Sequence, residues 1–228
     1  MNSSHIKDYK DDIKRVNRDR REAKKHYDKI SWFYGYFEGI FEKKYRDMGI
    51  ELLDLGIGES ILEIGFGTGE ALMKMGREVK SEGTVIGLDI STEMAAVSKA
   101  KLDRERDIKN VYLVCGDALN LPFKEDHFDK ILFSFTLELF DTPEIKRVLT
   151  EIRRVLKSDG RLGIITLFKD DNIFVDIYEF LHDIFPKIID CRPIVPERVL
   201  EDAGFKIEKS IEECIVVIPI KIVIGRLC

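Results

Sequence analysis

Between residues 61 and 167 this 228-residue chain alternates short apolar runs with longer amphipathic stretches. The runs cover 61–64, 84–88, 111–114, 128–133 and 162–167, and the helical patterns between them fall at 70–80, 92–104 and 143–156. Strand–helix–strand units close only with right-handed crossovers, which makes the strands parallel. Runs this continuously apolar predict a sheet covered by helices on both faces. The last part of the chain differs. A helical pattern at 174–185 stops before Pro186, and a second at 196–203 has Pro196 in its first turn and Gly204 at its end. Two strand-like runs follow, 205–208 and 214–224, expected to lie antiparallel to one another.

The start of the chain reads differently again. Residues 1–24 are dense in charge, a solvated helix or arm; from His26 the composition turns aromatic, with Tyr27, Trp32, Phe33, Tyr34, Tyr36, Phe37, Phe41 and Tyr45. Several share helical spacing, which predicts a helix packed over the core. The expected division is a helical arm and cap over 1–50 and one αβ domain over 51–228.

Composition narrows the class. Apolar residues form 44% of the chain, enough for a sizeable core, and 37 basic against 42 acidic residues leave a net charge of −5. That balance offers no global attraction to nucleic acid or to an anionic membrane. No two of Cys115, Cys191, Cys214 and Cys228 have zinc or redox spacing, and the four histidines are scattered. The expectation is a reduced, cytoplasmic protein without a metal. The most apolar stretch, 215–224, contains Pro219 and Lys221 and is half the roughly 20 residues that a membrane span needs.

Chemistry is concentrated after the first apolar run, in Glu63-Ile-Gly65-Phe66-Gly67-Thr68-Gly69-Glu70. A strand ending in a glycine turn that opens a helix brings backbone close to a ligand and offers unpaired N–H groups to an anion. The dinucleotide spelling requires a small residue where this chain has Glu70, so a pyrophosphate ligand fits poorly. An amino-acid end fits better: the loop meets its carboxylate, and Glu63 meets its ammonium. Asp89 closes the second run, where a carboxylate can accept ribose hydroxyls. Asp117 follows the third, placed to accept from an adenine amino group. In a parallel sheet these ends share one edge.

On these residues the sequence resembles the class I S-adenosylmethionine-dependent methyltransferases. The matching segments are Glu63-x-Gly65-x-Gly67-x-Gly69, Gly87-Leu-Asp89-Ile-Ser91, Gly116-Asp117-Ala118-x-x-Leu121-Pro122-Phe123 and Arg154-Val-Leu-Lys157-Ser-Asp159-Gly160. It is most similar to the ubiquinone and menaquinone C-methyltransferase branch, from about residue 26 to the end. The resemblance implies a Rossmann-like, seven-stranded, mostly parallel sheet with an antiparallel last strand. It implies S-adenosyl-L-methionine as cofactor, with the glycine loop (Phe66 and Thr68 included) and Glu63 at the methionine portion. Asp89 then meets the ribose, Asp117 and Ala118 the adenine, and Ile90 and Met94 line the adenosine. Ser134, Phe135 and Thr136 fall beside the sulfonium, and Tyr27 near the amino-acid end.

The acceptor side is more open. Glu138 and His182 are the candidate general bases, each with an alternative as a surface or packing residue. Trp32, Tyr34, Phe140 and Arg192 are the acceptor-binding candidates; core packing is the competing role for the aromatics, and pairing with Asp190 for Arg192. A lipophilic acceptor such as a quinone precursor, taken from a membrane surface, is the leading expectation. The loop Ser134–Phe140 lacks the Asn typical of the quinone enzymes, which keeps a phospholipid or small-amine N-methyltransferase as the alternative. An NAD(P)-binding oxidoreductase is opposed by Glu70 and Asp117. A noncatalytic adenosylmethionine-binding subunit would share the same motifs.

Overall fold

The computed structural model describes residues 42–169, 192–215 and 218–227. In chain order the elements are α1 (Lys43–Leu53), β1 (Ser60–Ile64), α2 (Glu70–Glu78), β2 (Thr84–Asp89), α3 (Thr92–Leu102), β3 (Val111–Cys115) and β4 (Phe128–Ser134). A 3-10 turn (Leu137–Leu139) follows, then α4 (Thr142–Val155), β5 (Leu156–Leu167), α5 (Pro196–Asp202), β6 (Phe205–Ile215) and β7 (Ile218–Leu227).

The seven strands form one sheet in the order β3-β2-β1-β4-β5-β7-β6. The first five are parallel, and β7 runs antiparallel to both of its neighbours. This is the expected α/β architecture. The chain order reverses direction between β1 and β4, and the strand ends beside that switch open the crevice where such sheets bind ligands.

Strand alternation divides the core in two. Ile131 and Phe133 of β4 join one apolar cluster with α4 and α5, whereas Leu132 between them joins a second with α1 and α2. Helix α4 presents Ile145, Val148, Leu149, Ile152 and Val155 to the sheet, the spacing of one helical face, each worth about 2 kcal/mol in apolar burial. It starts on Asp141, whose carboxylate accepts the Thr142 N–H, with Pro143 in the first turn. Helix α3 starts on Ser91, whose hydroxyl accepts the Met94 N–H at 3.1 Å.

Two boundaries differ from expectation. β5 begins directly after α4 at Leu156, and the register slips between the Phe128–Leu156 and Lys130–Arg161 pairs. Residues 157–160 fill that bulge, so the Ser-Asp-Gly sequence there is an irregularity within a strand. The apolar run at 214–224 belongs to two strands: Cys214 pairs with Pro219 and Ile215 with Ile218 across the β6–β7 hairpin. The division expected at residue 50 falls within α1. The arm and aromatic cap over 1–41, and the helix expected at 174–185, lie outside the described residues.

Candidate active site

Glu63 lies opposite Gly87 of β2 and Leu132 of β4, and Asp89 lies opposite Cys115 of β3. Gly65 donates its N–H to the Leu88 carbonyl at 2.7 Å, keeping the loop after β1 level with the end of β2. Three strand ends therefore meet at one edge, with Glu63 and Asp89 close enough to repel one another electrostatically.

The three loop glycines serve different needs. A Cβ at Gly65 would stand 2.2 Å from Thr136 Cγ2, and one at Gly69 would stand 2.0 Å from Ser98 Oγ. The protein's own packing excludes side chains at both positions. Gly67 is different: it adopts φ +49°, and a Cβ there would meet none of the described residues within 4 Å. The middle of the loop faces open space.

Glu63 borders that loop and is 2% exposed, with Oε2 lacking a partner. Burial pushes its carboxyl up to about 8, opposed by the positive charge of Arg46 and reinforced by Asp89. An acceptor oxygen left unmet inside a protein costs about 1–3 kcal/mol unless a donor arrives. Asp89 is held from two sides: its Oδ2 accepts the Gly67 N–H at 3.0 Å and its Oδ1 the Ser91 N–H at 2.8 Å. Because Ser91 caps α3, Asp89 is not the helix cap. Asp117 Oδ1 accepts the Leu119 N–H at 3.0 Å, which fixes the turn carrying buried Ala118.

A further layer steadies that turn. Arg154 donates to the carbonyls of Phe123 (2.7 Å) and Leu121 (3.0 Å), while Glu151 accepts the Leu121 N–H at 2.9 Å. The Leu121-Pro-Phe123 and Arg154 motifs thus hold the loop after β3 and need not touch a ligand.

Among the other expected cofactor residues, Met94 is buried and Ile90, Thr68, Ser134 and Phe135 are half-buried. Phe135 adopts φ +51° and donates its N–H to Ile165. Phe66 turns its ring into the core, where it blocks any side chain at Gly87. Only its backbone belongs to the loop. Thr136 donates to the Ser134 carbonyl at 2.9 Å and packs on Gly65.

Of the acceptor-side candidates, Glu138 is fully buried, with Oε1 receiving the Leu167 N–H at 3.4 Å and Oε2 unpartnered. Burial pushes it up to about 8 as well, against hydrogen bonds from its surroundings. Arg192 is 1% exposed and its Nη2 donates to the Phe140 carbonyl, so it ties the segment before α5 to the turn after β4. Tyr27, Trp32, Tyr34 and His182 lie outside the described residues. The sequence reading missed Glu42 and Arg46, whose charges act on Glu138 and Glu63 respectively. Their i,i+4 spacing at the start of α1 was the available signal, and it looks like an ordinary surface pair.

The fold and this edge resemble those of the class I S-adenosylmethionine-dependent methyltransferases, and the chain is most similar to the menaquinone branch of that class. The family model described as a methyltransferase domain matches residues 61–160. The chain is 34% identical over 151 residues to the demethylmenaquinone methyltransferase of Listeria welshimeri, covering 64% of this chain and 63% of that protein. It is 27% identical over 185 residues to the demethylmenaquinone methyltransferase of a Geobacillus species, covering 79% and 76%. The match therefore spans somewhat less than two thirds of the Listeria protein's length. In fold it is similar to a SAM-dependent methyltransferase from Aquifex aeolicus, with TM-score 0.61 and 21% identity over 80% of this chain and 89% of that one. The cofactor of this class is S-adenosyl-L-methionine, and the residues present fit it: an unmet buried carboxylate, a loop open at Gly67 and a second carboxylate fixed at the end of β2. Among the described residues no group of His, Cys, Asp and Glu could hold a metal ion, and no helix is long and apolar enough to cross a membrane.

Proposed function

We propose that this protein transfers a methyl group from S-adenosyl-L-methionine to a ring carbon of a lipophilic quinone precursor. The observation that carries the donor half is the meeting of Glu63, Asp89 and the open Gly67 loop at one sheet edge. The acceptor half is supported by the relatives named demethylmenaquinone methyltransferase.

The bound cofactor supplies an electrophilic methyl group. What remains for the chain is to bind, align to about 3 Å and exclude water. Glu63 receives the ammonium of the amino-acid end, Asp89 the ribose hydroxyls, and Asp117 with Ala118 the adenine. The glycine loop (Gly65, Phe66, Gly67, Thr68, Gly69) lies along the methionine portion, and Ile90 and Met94 flank the adenosine. Ser134, Phe135 and Thr136 form the wall toward the acceptor. Methylating a ring carbon also requires removal of a proton. Glu138 takes that role, because a carboxylate that ionises near 8 is a competent base at neutral pH. His182 is the alternative base. Tyr27, Trp32, Tyr34, Phe140 and Arg192 complete the proposed pocket. The setting is cytoplasmic, with contact to a membrane surface from which the acceptor is drawn and no nucleic-acid partner.

Incubation of the protein with methyl-labelled donor and a membrane lipid extract containing demethylated quinones tests this. Label in the quinone ring is expected. Label in a phospholipid headgroup or a small amine would move the protein to N-methylation. Donor binding with no labelled product would mark a noncatalytic binder.

A further inference from the structure

The direction of α1 follows from two close packings. Leu53 packs on Gly163 and Gly49 packs against Ile165, so the helix runs antiparallel to β5. Each turn backward along α1 approaches the C-terminal end of the parallel strands. Arg46, one turn before Gly49, therefore reaches the level of the Leu167 end of β5, and Glu42 lies one turn further. Tyr45 anchors this end by donating its hydroxyl to the Cys214 carbonyl at 2.7 Å.

Arg46 shares the helical face of Gly49 and Leu53, three and seven residues later. It is half-buried and acts electrostatically on both Glu42 and Glu63. The buried Glu63 presents its unpartnered Oε2 on the same edge. The amino-acid end of the cofactor is a zwitterion, with its carboxylate and ammonium on one carbon. A carboxylate and a guanidinium at one sheet edge are its electrostatic complement.

We propose that Arg46 is a cofactor-binding residue that receives the α-carboxylate of S-adenosylmethionine while Glu63 receives the ammonium. The proposal rests on the cofactor reading above and extends it to α1, an element outside the glycine motif. Arg46 also supplies specificity: a ligand carrying adenosine and sulfur without the amino-acid end leaves its charge unanswered.

Calorimetric titration with two non-reacting ligands tests it without any turnover. S-adenosylhomocysteine carries the zwitterion, and 5′-methylthioadenosine lacks it. In Arg46→Ala the affinity for S-adenosylhomocysteine is expected to fall roughly 10- to 100-fold, the range of a lost charge-assisted hydrogen bond, with 5′-methylthioadenosine affinity unchanged. Arg46→Lys recovers part of the loss, because the charge remains without the planar fork. Equal weakening for both ligands, or none for either, would overturn the Arg46 assignment. Failure of the unmodified protein to bind either ligand would instead overturn the cofactor reading itself.

Discussion

One carboxylate oxygen of Asp89 accepts the backbone N–H of Gly67 across 3.0 Å, joining the end of β2 to the loop after β1. The other accepts the Ser91 N–H, so a single side chain sets both the loop and the start of α3. Asp89→Ala leaves two N–H groups without acceptors. It is expected to lower stability by about 2 kcal/mol, together with a loss of cofactor affinity. Asp89→Asn keeps one acceptor and should fall between. Thermal melts and titrations on the same samples check this; an unchanged melting temperature for the Ala variant would contradict it.

The glycines separate packing from binding. Gly65→Ala drives a methyl group into Thr136 and is expected to cost about 2–3 kcal/mol of stability. Gly67→Ala meets no atom of the described residues within 4 Å and is expected to cost only its left-handed backbone, about 1 kcal/mol. Its methyl points into the ligand's space, so binding should suffer far more than folding. Comparing melting temperature with affinity in the two variants distinguishes these effects.

Glu63 and Glu138 make stability depend on pH in a stated direction. Each ionises near 8 in the folded protein, against 4.5 for the unperturbed side chain. Between those values the unfolded chain loses the proton while the folded one keeps it, so each group's contribution falls as pH rises from about 4.5 to 8. Glu138→Gln removes that slope. At pH 5 it should be nearly as stable as the parent, and at pH 8.5 more stable, by at most about 5 kcal/mol. A Gln variant less stable than the parent at the higher pH would refute the assignment.

The same substitution bears on catalysis. If Glu138 is the base, kcat/KM should climb through an ionisation near 8, and the Gln variant should lose both that limb and most of its rate. A retained limb would transfer the role to another group, His182 being the next to test.

Arg192 is expected to matter to folding before substrate. Arg192→Ala empties a fully buried volume and orphans the Phe140 carbonyl, a loss of about 2–4 kcal/mol. A raised KM for the acceptor with an unchanged melting temperature would restore it to the pocket.

The parallel strands were legible because each is a run of apolar residues between turns, and Glu63 and Asp89 stood out because each is an acid at the end of such a run, the one next to the last residue of β1 and the other closing β2. The antiparallel pairing of β6 and β7 was legible too, but not their bounds: edge strand β6 alternates charged with apolar side chains, as in Lys206, Glu208 and Glu212, so periodicity located only its more apolar start. Arg46 escaped for a related reason. Nothing in a Glu42–Arg46 pair reveals whether that helical face meets water or a ligand edge; only the crossing of α1 over β5 decides it. The burial of Arg192 was not legible either, because arginine rarely lies wholly inside a protein and its bond to the Phe140 carbonyl joins residues 52 apart in the chain.

The antiparallel passage of α1 across β5 has a practical corollary at the two extremes of the described fold. Glu42 lies toward the C-terminal edge of the parallel strands, the edge of Glu63 and Asp89, whereas Leu227, paired with Phe205 beyond the Arg161–Arg226 pair, lies at the opposite edge. A fluorophore or affinity handle joined behind Leu227 would therefore sit on the side of the sheet away from Glu63 and Asp89, and is expected to leave cofactor titration unaffected.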